Sequence, residues 1–223
     1  ETIANLGAYA RVFGTVTPTY LFGPCATGVY EIPAAYTNVK AVYTNTAPVD
    51  AYRGAGRPEA TYTIERLVEK ASMELGIDKT ELRIKNFPTA FPFKQTLVHT
   101  VDSGDYVAGM EKAKQMADYK GFEARRKESE AKGKLRGIGV TSYFEACGIA
   151  PSAAVMSLGC GVGLWESAEV RFNPTGQVTV YTGSHSHGQS HQTTFAQIAA
   201  DELGVPIENI DIVHGDTDKG TFG

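Results

Sequence analysis

Two short segments carry residue types that could do chemistry. The first is Tyr52-Arg53-Gly54-Ala55-Gly56-Arg57. Its two glycines let the backbone bend sharply and come close to a ligand. Successive exposed N–H groups in such a turn can hold an oxyanion. Arg53 and Arg57 add permanent charge and fork-shaped donors. No Gly-Lys-Ser/Thr follows, so this is not a P-loop, and the spacing is not the Gly-x-Gly-x-x-Gly of dinucleotide folds. From these residues alone, a plain strand-to-helix turn and an anion or cofactor loop both stay open. The second segment is Gly183-Ser184-His185-Ser186-His187-Gly188-Gln189-Ser190-His191. Three histidines this close could ligate a metal, with His185 and His187 on one strand face and His191 returning from a helix start. No carboxylate follows at the spacing of zinc hydrolases. The other reading is a polar loop whose Gln189 and free N–H groups, ahead of a helix, face a ligand.

The elements around these segments follow from periodicity and punctuation. Residues 39–43 alternate as a strand ahead of the first loop. Pro58 and Glu59 suit a helix start. Ile64, Leu67, Val68, Ala71 and Leu75 form an apolar stripe that ends at Gly76. Asp78 can cap a second short helix carrying Leu82 and Ile84. Residues 87–104 hold two prolines and little periodicity and are expected to be a linker. Residues 105–132 read as charged helix, with residues 125–130 a solvated face. Residues 138–144 read as a strand. Asn173-Pro174-Thr175-Gly176 separates two alternating runs, 167–172 and 177–182, as a hairpin turn. Residues 193–203 read as a helix with Phe195, Ile198, Ala199 and Leu203 on one face, closed by Gly204. Residues 210–213 read as a strand. Strands mixed with helices in this order predict an α+β or mixed α/β fold.

Composition bounds the function. The chain has 223 residues, a net charge of -4 and 42% hydrophobic residues. That hydrophobic content excludes disorder, and scattered Lys and Arg argue against an electrostatic nucleic-acid binder. No apolar run approaches the ~18 residues of a membrane span. Glycine, at 24 residues, exceeds the usual ~7% and points to backbone-rich turns. Cys25, Cys147 and Cys160 are too scattered for a zinc or iron–sulfur motif, and a reducing, cytoplasmic compartment is expected. The glycine-rich run at 159–163 lacks the context of a nucleotide site. Glu145, ending an apolar stretch, is either a perturbed carboxylate or a structural one. Neither end resembles a natural terminus, so an internal piece of a longer protein is expected.

The two segments together resemble one family. Residues 51–60, followed by Glu65-Arg66, Glu74-Leu75-Gly76, Arg83 and Asn86, are similar to the molybdenum hydroxylases, the xanthine dehydrogenase and aldehyde oxidase relatives. Residues 188–197, then Ala200 to Pro206 and Gly215-Asp216-Thr217-Asp218, resemble a second signature of that family in the family's order. Within it, the Ala-Tyr-Arg-Gly-Ala-Gly-Arg run is most like the large subunits of the aerobic carbon monoxide dehydrogenase branch called form II.

The resemblance implies a fragment of a molybdopterin-binding region spanning parts of two subdomains. Residues 1–90 would belong to a first cofactor-binding domain, 91–132 to a linker with a charged helix, and 133–223 to a second cofactor-binding domain. It implies a molybdenum–molybdopterin cofactor, in the cytosine dinucleotide form, held by Arg53, Gly54, Ala55 and Gly56 and by Gly188, Gln189 and Ser190. It implies iron–sulfur clusters and FAD on partner subunits, a dimer of heterotrimers, and a catalytic glutamate beyond Gly223. Carbon monoxide oxidisers carry Cys-Ser-Phe where this chain has Gly54-Ala55-Gly56, and that Cys binds copper. With no thiolate there, no copper is expected, and aldehyde or heterocycle hydroxylation is favoured over carbon monoxide oxidation. Ser190 stands where the family's usual Gly-Gln-Gly has its second glycine. The reading of another class is a histidine-cluster metal hydrolase.

Overall fold

A computed structural model describes residues 1–145, 152–157 and 165–221. Cys147, Cys160 and the glycine run at 159–163 lie outside the described residues. The chain forms two compact units, Glu1–Glu145 and Ala146–Gly223. Among the described residues, no helix is long and apolar enough to cross a membrane.

In the first unit, β1 (Thr2–Asn5) pairs in parallel with β2 (Val39–Val42), Thr2 opposite Val39 and Asn5 opposite Val42. Between them lie α1 (Val12–Val16), a wide helical turn at Thr17–Leu21 and a tight one at Gly23–Cys25. The long helix α2 (Arg57–Leu75) ends on Gly76, whose left-handed φ of 65° is the glycine stop that the sequence signals. Next comes α3 (Lys79–Lys85), with the Asp78 carboxylate accepting from the N–H groups of Thr80 and Glu81 at 2.8 and 3.2 Å. That cap satisfies two of the four orphan donors of the helix start.

The core of this unit is Val29, Tyr30, Ile64, Phe87 and Met110, with the Tyr30 and Phe87 rings stacked 5.7 Å apart. A smaller cluster of Phe22, Cys25 and Ala60 lies under the start of α2, and Phe144 packs against both clusters. The buried face of α2 is Ala60, Ile64, Glu65 and Ser72. It is rotated from the expected stripe, and Leu67 and Leu75 are exposed. The reason is a buried charge pair. The Arg83 side chain of α3 is fully enclosed and its Nε donates to Glu65 at 2.8 Å, while the Tyr30 hydroxyl donates to the other Glu65 oxygen. Glu65 must therefore face inward, and periodicity of apolar residues alone does not see this.

Residues 87–104 are not a bare linker. They form a small antiparallel pair, β3 (Phe93–Lys94) with β4 (Thr100–Val101). Gln95 is buried there and donates to the carbonyl of Gly28. The charged stretch forms α4 (Tyr106–Met116) and α5 (Phe122–Ala131), and Met110 of α4 reaches the core. The expected strand at 138–144 has no regular pairing. It runs as irregular chain, held by Val140 and Phe144 against the first core. That packing puts 133–145 in the first compact unit.

The second unit contains α6 (Ser152–Ser157) and a three-stranded sheet in the order β5-β6-β7. The strands are β5 (Ala168–Phe172), β6 (Val178–Thr182) and β7 (Ile210–Val213), β5 antiparallel and β7 parallel to β6. The Asn173–Gly176 turn closes the hairpin as expected, with Gly176 at a φ of 89°. Helix α7 (His191–Leu203) crosses from β6 to β7 and packs on the sheet over Val178, Val180 and Ile210. Its packed face is Ala196, Ala199 and Ala200. Ile198, expected inward, is 61% exposed. Small alanines bring the helix close to the sheet, and that closeness sets the face.

Candidate functional site

The first loop enters α2 through three consecutive left-handed residues: Gly54 at a φ of 96°, Ala55 at 34° and Gly56 at 87°. Such φ values are cheap for glycine and cost an alanine of order 1–2 kcal/mol. The turn is closed by Ala55 N–H on the Tyr52 carbonyl at 2.8 Å and Arg57 N–H on the Gly54 carbonyl at 3.2 Å. The glycines serve the turn's own packing first. A Cβ on Gly56 would sit 2.6–2.8 Å from backbone atoms of Thr17, Leu21 and Phe22, and one on Gly54 would sit 2.5 Å from the Pro58 ring. No side chain caps the N-terminus of α2.

The two arginines part ways. Arg53 is exposed on the loop, as is Tyr52. Arg57 turns inward: its NH1 donates to the carbonyls of Gly54 and Ala55 at 3.3 and 3.1 Å, and its Nε lies 3.2 Å from Glu145 Oε1. Glu145 is thus an ion-pair partner within the fold.

Behind Arg57 lies a group that sequence reasoning missed. His99 Nε2 is 3.4 Å from Cys25 Sγ, and the His99 ring meets Phe144 edge-on at 5.9 Å. Burial, with Arg57 beside it, holds His99 below the usual imidazole range. Burial pushes the Cys25 thiol up, against the lowering influence of Arg57. Residues 25, 57, 99 and 145 share no sequence period, and only the tertiary fold joins them.

The second loop leaves β6 at Thr182 and enters α7 at His191. Gly188 has a φ of 95°, and Ser190, the α7 N-cap residue, is left-handed at a φ of 62°. Ser190 makes no side-chain cap, and its carbonyl accepts from the Thr193 and Thr194 N–H groups at 3.0 and 2.9 Å. The Gln189 side-chain oxygen accepts from the His187 N–H, which folds that amide back over the loop.

The histidines do not share a strand face, because β6 ends before them. His191 stacks on Phe195 at 4.6 Å with its Nδ1 3.3 Å from the Ser184 carbonyl. His185 and His214 bring their Nδ1 atoms to 3.1 Å, and His214 Nε2 lies 2.6 Å from the Gln192 amide nitrogen. Gly215 abuts the His185 ring, where a Cβ would meet Nδ1 at 2.6 Å. Among the described residues, no group of three or more His, Cys, Asp or Glu side chains is gathered as a metal site. The Asp216 carboxylate closes the next turn by accepting from the Asp218 N–H at 3.0 Å.

The two loops share a local geometry. Both combine left-handed backbone, an uncapped helix start and small residues. The first adds the exposed Arg53 guanidinium. Strain of this kind persists where the surrounding structure enforces it, and it collects at ligand sites.

A molybdopterin cofactor-binding domain family matches residues 1–87, and a second family of the same description matches residues 112–223. The chain is 40% identical over its whole length to the carbon monoxide dehydrogenase large chain of Hydrogenophaga pseudoflava, covering 28% of that protein. Quinoline 2-oxidoreductase from Pseudomonas putida 86 matches 99% of the chain at a TM-score of 0.82 and 37% identity, with 28% of that chain covered. A Cu,Mo carbon monoxide dehydrogenase in its carbon monoxide reduced state matches 99% at a TM-score of 0.77 and 37% identity, with 29% covered. The chain thus spans less than a third of the length of these relatives. With both family regions matched in order and a relative 40% identical over the chain's whole length, the chain belongs to the molybdopterin cofactor-binding domains of the xanthine dehydrogenase and carbon monoxide dehydrogenase family of oxidoreductases.

Proposed function

We propose that this chain contributes two walls of a molybdenum–molybdopterin site in the large subunit of a hydroxylase acting on an aldehyde or a heterocycle. The left-handed run Gly54-Ala55-Gly56 beside exposed Arg53 carries this reading. When bound, the cofactor supplies the oxygen transfer and redox chemistry, with oxygen derived from water. Arg53 presents fixed positive charge toward developing negative charge at the site. Gly188, Gln189 and Ser190, with the α7 N-terminus, hold a phosphate-bearing cytosine dinucleotide tail. We assign residues 1–90 to the first cofactor domain, 91–132 to the join and 133–223 to the second, with 133–145 packed in the first compact unit. Iron–sulfur and flavin subunits receive the electrons, in a cytoplasmic dimer of heterotrimers.

We place no copper at this site. Gly54 offers no ligand, and the Cys25 thiol is buried, raised in pKa and engaged with His99. Copper(I) favours accessible thiolate. Carbon monoxide oxidation is the second reading, favoured by the 40% identity to a carbon monoxide dehydrogenase large chain. The purified full-length complex, assayed with a dye acceptor against aldehydes, N-heterocycles and carbon monoxide alongside metal content, separates them. Turnover of an organic substrate with molybdenum and no copper is expected. Copper equimolar with molybdenum and activity confined to carbon monoxide would overturn the first reading.

A further inference from the structure

We infer that Glu145, acting through Arg57, is the positioning residue that fixes the conformation of the 52–57 loop; its consequence for the cofactor rests on the reading of that loop given above. Three left-handed residues in a row, one of them Ala55, form a strained run that relaxes unless it is held from several sides. One hold is the backbone of Thr17, Leu21 and Phe22 against Gly56. The other is the Arg57 guanidinium. One edge of this flat group takes the carbonyls of Gly54 and Ala55 through NH1. Its Nε is closed off from water, and Glu145 Oε1 lies 3.2 Å away as an ion-pair partner without hydrogen-bond alignment. A guanidinium is planar, so fixing Nε fixes where NH1 points. Without the carboxylate, a mostly buried cation would lack this partner and be drawn toward solvent, taking its NH1 donors off the two carbonyls.

Glu145 is itself fixed by its neighbour. Phe144 packs into both core clusters of the first unit and meets His99 edge-on, so the irregular 138–145 segment ends with its carboxylate delivered to Arg57. A segment distant in sequence thereby sets the loop. The Glu145 side chain is 43% exposed, so the pair is partly screened and responds to salt.

The test is hydrogen exchange of the 52–57 backbone in the full-length protein within its complex, with residues 62–75 of α2 as internal control. Glu145→Gln, which keeps shape and removes charge, should speed exchange in the loop at least about tenfold and leave α2 unchanged. Arg57→Ala should do the same, and the double variant no more than either single one, since both remove one device. In wild type, 1 M salt should accelerate the loop without any substitution, and in Glu145→Gln it should add nothing. Unchanged loop exchange in Glu145→Gln, or additive effects of the two substitutions, overturns the proposal. Should the variants fold poorly, the salt response of wild type decides alone, and no acceleration counts against it. Molybdenum content is read separately. A loosened loop with normal molybdenum and kinetics leaves Glu145 as positioning residue and overturns the reading of the loop as a cofactor wall.

Discussion

At the 52–57 loop, residues of one type do different work. Arg53 is exposed, whereas Arg57 donates to the loop's own carbonyls. Arg53→Ala in the full-length enzyme should lower turnover or molybdenum occupancy at least about tenfold, equal to about 1.4 kcal/mol. Arg126→Ala, on an exposed helix, should change neither. Gly54→Val acts differently: its Cβ would meet the Pro58 ring at a φ of 96°, so the loop must move. Loss of molybdenum with the rest of the fold retained is the expected result, measured by metal content and circular dichroism. His99 adds a pH dependence. Its folded pKa is depressed, so below about pH 6.5 the unfolded chain takes up protons that the folded chain resists. Its contribution is complete above that pH and is lost as pH falls toward the folded value. His99→Gln should flatten that part of the melting-temperature profile between pH 7 and 5.

At the scale of elements, caps and turns were legible and burial faces less so. Pro58, Gly76, Asp78 and the Asn173–Gly176 turn mark real boundaries, because each satisfies or ends a local hydrogen-bond pattern. The buried face of α2 departs from the apolar stripe because Glu65 is turned inward by Arg83 of the next helix, a tertiary demand that outweighs it. The strand expected at 138–144 has the right residues and no paired neighbour among the described residues, and strand pairing is not a local property. The site loops were legible through glycine and arginine, whereas the Cys25–His99 contact and the Arg57–Glu145 clamp were not, since four separate segments supply them. Two predictions belong here. Arg83→Ala strands Glu65 beside Tyr30 in the core and should cost about 3–5 kcal/mol, seen as a large fall in melting temperature. Ser190→Gly removes a left-handed non-glycine residue at the start of α7 and should stabilise by about 1 kcal/mol with molybdenum content kept.

The whole molecule consists of two compact units, in a chain spanning 28% of a relative such as the carbon monoxide dehydrogenase large chain. The 223 residues expressed alone should retain no molybdenum, measured by metal content. The central claim is that the two loops hold the cofactor, and it is tested most directly by molybdenum and released cytosine nucleotide per full-length subunit, in wild type, Arg53→Ala and Gln189→Ala. About one of each per subunit in wild type, with a deficit of at least about tenfold in molybdenum for Arg53→Ala or in nucleotide for Gln189→Ala, is the result expected. Full molybdenum and full nucleotide in both variants, with wild-type turnover, would contradict it and reduce both loops to plain connections between strand and helix.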